Sequence, residues 1–315
     1  MHESRFLRSS AASDRQHWIP KSISYAFGEP IVEMARIDQS PRRFFSDLDL
    51  NAVVESVRQP LMDVAIPEHA RDLSPAGFIF HMPRSGSTLT ARMLSAPASC
   101  ACIVEPEALN ALLSSPEAAS SFRPEWLHRL GQLYCAGFKA AHAHVFLKTS
   151  SWAVLREPVF AQAFPEVRSC FVHRDPVEVL VQLLERPVGW MADRARPFIL
   201  ERDSEPQAMS LEEYCARALG RFCEAALRGA PSVKAVAYEA IAEVVPELAL
   251  SHFSIDISSD DRRAMLDQAR YDSDDWSLLT PHDREREKNL AGRATPRLQA
   301  LAHRFAGSPR QRLLQ

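Results

Sequence analysis

From residue 77 onward, short apolar runs alternate with longer stretches of helical period. Phe78-Ile79-Phe80 is an apolar run, followed by a polar loop over Met82–Ser87 and then by apolar positions Leu89, Met93 and Leu94. That order predicts strand, tight loop, helix. Ala101–Val104, His144–Leu147, Val167–His173 and Val233–Ala237 are further strand-like runs. Between them, helical spacing is expected over Glu107–Leu113, Pro124–Tyr134, Trp152–Phe164 (interrupted at Pro158), Pro176–Leu184 and Leu211–Leu227. Helices are also expected from Glu239 to Val245, from Asp260 to Tyr271, and in part of the basic tail beyond Gly292. Asp175 followed by Pro176 is a strong start signal, an N-cap acid with proline at the first helical position. Strands alternating with helices predict an α/β fold with a mostly parallel central sheet and helices on both faces.

Residues 1–75 read differently. They are polar and broken by Pro20, Pro30, Pro41, Pro60 and Pro67, with one expected helix over Leu48–Val57. The expected organisation is an N-terminal arm or lid, residues 1–75, packed on an α/β domain of residues 76–315.

Composition narrows the class. Of 315 residues, 46% are apolar and 24% charged, with a formal net charge of −3, the profile of a soluble globular protein. That charge gives no general attraction to nucleic acid or an anionic membrane. The first residues hold no apolar core of signal-peptide length, and no run approaches the ~20 apolar residues of a membrane span. The six cysteines are scattered, with no C-x-x-C pair, which predicts buried reduced thiols in a cytoplasmic protein and no metal site. With ten glycines against roughly twenty expected at average usage, Gly86 in the polar loop is informative.

The loop is built for an anion. Free backbone N–H groups and the dipole of the following helix point at whatever sits there, and Arg84 adds a cation beside Ser85, Ser87 and Thr88. Laid over the nucleoside-triphosphatase pattern G-x-x-x-x-G-K-[ST], His81–Thr88 keeps only Gly86 and Thr88; Ser87 stands where the lysine would be. The loop PRSGSTL instead resembles the 5′-phosphosulfate loop of sulfotransferases, in the form found in bacterial and tyrosylprotein members. The resemblance spans about residues 77–293. It implies a P-loop-like three-layer sandwich and 3′-phosphoadenosine 5′-phosphosulfate as donor, with no metal.

The same resemblance assigns roles. Arg84 with Ser85, Gly86, Ser87 and Thr88 would hold the phosphosulfate. Glu105, 21 positions beyond Arg84, matches the family's general base, with His81, His142 and His144 as alternative bases. Lys148 matches the lysine that stabilises the bridging oxygen. Arg174, in the sequence HRDP, matches the 3′-phosphate motif; unpaired beside the positive end of a helix, it would gain from a bound phosphate. Eight positions on, the family's usual serine is replaced by Gln182, whose amide can still donate. Tyr238-Glu239 matches a late Y-E pair, and Lys288, with Arg284 and Arg286 nearby, belongs to a segment expected to close over the nucleotide. The acceptor is expected to be a small-molecule or carrier-bound hydroxyl, reached through the N-terminal arm and Pro187–Pro206. Two other readings stay open on sequence alone: an ATP-dependent phosphotransferase, and a nucleotide-binding module without catalysis.

Overall fold

The computed structural model describes residues 17–38, 42–46, 53–114, 122–139, 141–192, 199–200, 205–229, 231–271, 278 and 289–315, without the side chain of residue 69. Its centre is a six-stranded sheet in the order β3-β6-β7-β5-β8-β9, with every neighbouring pair parallel. These strands are β3 (Phe44–Phe45), β5 (Gly77–His81), β6 (Cys100–Val104), β7 (His144–Lys148), β8 (Ser169–His173) and β9 (Val233–Ala237). β5 and β8 are buried at all five positions and β6 and β7 at four, as expected of strands covered on both faces. One apolar cluster, with Phe78, Phe80, Leu147 and Phe171, fills one side of the sheet. A second, with Ile79, Cys102, Phe146 and Val172, fills the other. All six cysteines are free and buried. Within the described residues no helix is long and apolar enough to cross a membrane.

Five helices matter for the site: α1 (Ser87–Leu94), α2 (Glu107–Ser114), α3 (Pro124–Phe138), α4 (Glu157–Ala163) and α5 (Pro176–Glu185). The segment expected to be helical from Trp152 is a 3-10 turn over Ser151–Arg156 that runs into α4. The Asp175 N-cap forms as the sequence predicts, its carboxylate accepting from Val177 N at 2.8 Å and Glu178 N at 3.4 Å.

The N-terminal segment departs from the expectation of an irregular arm. Residues His17–Ala26 (β1), Glu29–Ile37 (β2) and Glu55–Pro60 (β4) form an antiparallel sheet in the order β1-β2-β4. The expected helix over Leu48–Val57 is not formed where the structure describes it, because Glu55–Val57 belong to β4. Three of the prolines that suggested an irregular arm are tolerated for identifiable reasons. Pro20 sits at a register shift in β1, Pro30 lies beside the hairpin turn, and Pro60 ends an outer strand. Ile19, Val32, Met34 and Ile37 are buried in the same cluster as Trp126 and Leu130 of α3. The Tyr25 hydroxyl donates to the Leu112 carbonyl at 3.2 Å, tying this sheet to α2.

Candidate active site

In a parallel sheet the side chains at the carboxyl ends of the strands face a common edge, and ligands bind there where strand order reverses. β5 is central, with β6 and β7 on one side and β8 and β9 on the other. The residues at those ends are therefore neighbours in space: Glu105 after β6, Lys148 ending β7, His81 ending β5, Arg174 after β8 and Tyr238 after β9. They line one cleft of about 680 Å³, a volume suited to a nucleotide-sized ligand.

The loop from Met82 to Gly86 is fixed to the sheet. Met82 N donates to the Val172 carbonyl at 2.9 Å, and the Ser85 hydroxyl lies 2.7 Å from the Met82 carbonyl and 2.9 Å from that of Val172. Two residues here take positive φ, Arg84 at 57° and Gly86 at 83°. A Cβ on Gly86 would lie 2.6 Å from Ile241 Cδ1 and 2.8 Å from Tyr238 Cδ2, so both the turn and the packing require glycine. A non-glycine residue held at positive φ in a loop is strain that marks functional sites. Arg84 reaches across the cleft, its Nη2 donating to the Arg186 carbonyl at 3.1 Å just past the end of α5.

Glu105 has the same backbone character, with φ 47°. Its N–H donates to the Lys148 carbonyl at 2.7 Å, and its own carbonyl accepts from Asn110 Nδ2 at 3.0 Å. Its carboxylate is thereby aimed at the Lys148 ammonium, which it pairs with through Oε1. The Lys148 side chain is 2% exposed and that of Glu105 42%. A cation so deeply buried requires an anionic partner. The third member is His81, whose Nε2 lies 3.3 Å from Lys148 Nζ and 3.6 Å from Glu105 Oε1. Burial works against ionisation of Glu105, yet the Lys148 charge and then the His81 ring outweigh it and hold the carboxyl well below its ordinary range. Burial, reinforced by Lys148, lowers the His81 pKa.

On the far side, Arg174 is not unpaired, contrary to the sequence expectation. Its Nε donates to Glu178 Oε2 at 2.6 Å, one turn into α5, and its guanidinium lies 3.9 Å from the centre of the Tyr238 ring. The repulsion from the helix end is thus met within the protein. Gln182, 8% exposed, lines the same cleft, and its Nε2 donates to no described group.

Ten of the eleven residues singled out in the sequence line this cleft: Arg84, Ser85, Gly86, Ser87, Thr88, Glu105, Lys148, Arg174, Gln182 and Tyr238. Lys288, with Arg284 and Arg286, lies outside the described residues. Of the alternative bases, His81 is in the cleft, while His142 contacts the Ala98 carbonyl at 3.3 Å and His144 sits at the opposite end of β7. Sequence reasoning missed Asn110, Trp152 and Trp190, which also line the cleft. Asn110 lies three residues into α2, a position whose role follows only once Glu105 is seen to need a backbone partner. Within the described residues no group of three side chains is placed to hold a metal ion.

No protein-family model matches the chain, and no curated protein matches it either. Solved structures do. A sulfotransferase from Mycobacterium avium is 10% identical over 74% of this chain and 77% of its own, with a TM-score of 0.41. The sulfotransferase domain of a Synechococcus olefin synthase is 15% identical over 76% and 97%, with a TM-score of 0.43. A Mycobacterium tuberculosis sulfotransferase is 17% identical over 78% of each chain, with a TM-score of 0.39. The chain is thus similar to bacterial sulfotransferases of known structure.

Proposed function

We propose that this protein transfers a sulfuryl group from 3′-phosphoadenosine 5′-phosphosulfate to a hydroxyl of a small-molecule or carrier-bound acceptor. The observation that carries the reading is the meeting of a buried lysine and a part-exposed carboxylate, Lys148 and Glu105, at the edge of an anion-binding loop. Such transfer needs positioning and charge neutralisation more than covalent help. The orphan N–H groups at the start of α1, with Arg84 and the loop from Ser85 to Thr88, suit the phosphosulfate. The buried amide of Gln182, whose Nε2 has no partner among the described residues, lines the same cleft as Arg174 and suits a second anion, the 3′-phosphate. Tyr238 flanks that position, and Lys288 is assigned to the nucleotide on its place in the sequence alone.

In this reading Glu105 takes the acceptor's proton as its oxygen attacks sulfur. The bond from sulfur to the 5′-phosphate oxygen breaks in line. Lys148 neutralises the charge left on that oxygen, and adenosine 3′,5′-bisphosphate departs. Glu105 and Lys148 pair with each other in the structure, so in this reading the donor draws Lys148 away before Glu105 acts.

Calorimetry with adenosine 3′,5′-bisphosphate, against ATP and magnesium, tests the donor assignment. The bisphosphate is expected to bind at least about tenfold more tightly, the equivalent of about 1.4 kcal/mol; no binding at millimolar levels sinks the reading. Glu105→Gln should keep the bisphosphate affinity while release of labelled sulfate from the donor, to water or to an acceptor, slows by about 10²–10⁴.

A further inference from the structure

His81 occupies the position where a nucleoside-triphosphatase loop has its first glycine, and the chemistry proposed above gives it no task. Its surroundings do. Nδ1 lies 2.8 Å from the Met82 carbonyl and Nε2 2.9 Å from the Thr149 carbonyl. Glu105 Oε1 is 3.6 Å from Nε2. Three acceptor oxygens therefore surround the two ring nitrogens, the environment of a ring that carries both protons. One contact opposes that state, the Lys148 ammonium 3.3 Å from Nε2.

We propose that His81 is a positioning residue that stores the transferred proton: it accepts a proton from Glu105 when Lys148 moves onto the donor, and replaces Lys148 as the cation beside that carboxylate. The inference rests on the sulfuryl-transfer reading. Once the ammonium withdraws, only these oxygen acceptors remain at the ring nitrogens, and the Glu105 carboxylate offsets the burial that opposes a charge on the ring. The balance closes. The acceptor O–H bond breaks and its proton passes through Glu105 to Nε2. Oxygen joins sulfur as the bond from sulfur to the bridging oxygen breaks, and Lys148 keeps its own proton throughout. When the bisphosphate leaves, Lys148 returns to Glu105 and its field expels the proton from His81. The exit runs through Glu105, which is open to water, whereas His81 is buried. This gives a strongly acidic carboxylate somewhere to pass its proton, which it needs in order to work as a base.

The test needs no acceptor. Binding of adenosine 3′,5′-bisphosphate to the full chain is followed by calorimetry near pH 6 in buffers of different ionisation enthalpy, which counts protons exchanged. Wild type should take up more protons than His81→Gln, by up to about one per site, with both proteins binding the nucleotide. Lys148→Met removes the ammonium whose movement drives the uptake, so it too should bind without that extra proton. Should His81→Gln fold poorly, the Lys148→Met comparison decides alone. Equal uptake in wild type and either variant overturns the inference and leaves the sulfuryl-transfer reading standing. Failure of wild type to bind the bisphosphate overturns both.

Discussion

The two sheets of this protein are made in opposite ways. The inner central strands are short apolar runs, hidden on both faces, whose polar groups fall at the strand ends; β5 is buried at all five positions and ends on His81. The N-terminal sheet mixes buried and half-exposed positions along β1 and β2, leaves β4 without a buried position, and spreads its charges along its length, with Lys21 paired to Glu33 at 3.0 Å and Arg36 to Glu55 at 3.1 Å. The first design concentrates chemistry at an edge. The second covers one side of the core and braces α2, the helix that follows Glu105, through the bond from Tyr25 to Leu112. Burial on two faces therefore decides where function gathers, because polar side chains have only the strand ends left to occupy.

The strongest way to break this comparison is to ask whether the sheets unfold apart. Phe80, fully buried and in edge contact with Phe160 at 5.1 Å between ring centres, belongs to the same apolar cluster as Ile19 of β1, also fully buried. Phe80→Ala should cost about 3–5 kcal/mol and Ile19→Ala about 2–5 kcal/mol. A shared core predicts that both losses appear in one cooperative denaturant transition. A separate early transition in Ile19→Ala, with bisphosphate binding intact, would show the N-terminal sheet to be an independent cover.

The difference also explains what the sequence discloses. Five of the six central strands are compact apolar runs bounded by a charged or turn residue, so the parallel sheet and the loop at Arg84–Thr88 are legible at once; β3, two residues long and inside the segment read as an arm, is not. The N-terminal sheet is not, because proline is the usual sign against a strand, and only the register shows that Pro20 and Pro60 fall where a missing N–H costs nothing. The meeting of Glu105, Lys148 and His81 is hidden for another reason. It depends on the order β6-β7-β5, which places last in space a strand that comes first in the chain. The partner of Arg174 was legible: Glu178 lies four positions on, one helical turn away.

A smaller effect sharpens the same contrast through pH. His173 ends β8 on the functional edge; burial, aided by Arg310, lowers its pKa to about 4, and its Nδ1 has no partner among the described residues. The unfolded chain binds this proton near pH 6.5 and the native state only near pH 4, so stability falls as pH falls through that window. The loss attached to this one ring is on the order of 3 kcal/mol. His173→Gln should flatten the dependence of unfolding free energy on pH between about 6.5 and 4, leaving the part due to His81, His144 and His252, whose pKa values burial also lowers. An unchanged slope would mean that His173 is solvated in the native protein.

The least costly change lies at the other end of the molecule. β1 and β2 are joined by the two-residue loop Phe27-Gly28, closed by the pair Ala26 and Glu29. Both loop residues take positive φ, 51° and 81°, which is the type I′ hairpin turn. Glycine adopts this freely, but phenylalanine pays roughly 1–2 kcal/mol for it. Its ring recovers nothing by packing, since it stands fully exposed at the tip. Phe27→Asn supplies the residue that such turns favour. It should raise stability by about 0.5–1 kcal/mol, or roughly 1–4 °C in melting temperature, and leave bisphosphate binding as it is. A fall in stability would mean that the ring is engaged in solution by a surface the isolated chain does not provide. The N-terminal sheet would then be a contact element as well as a brace.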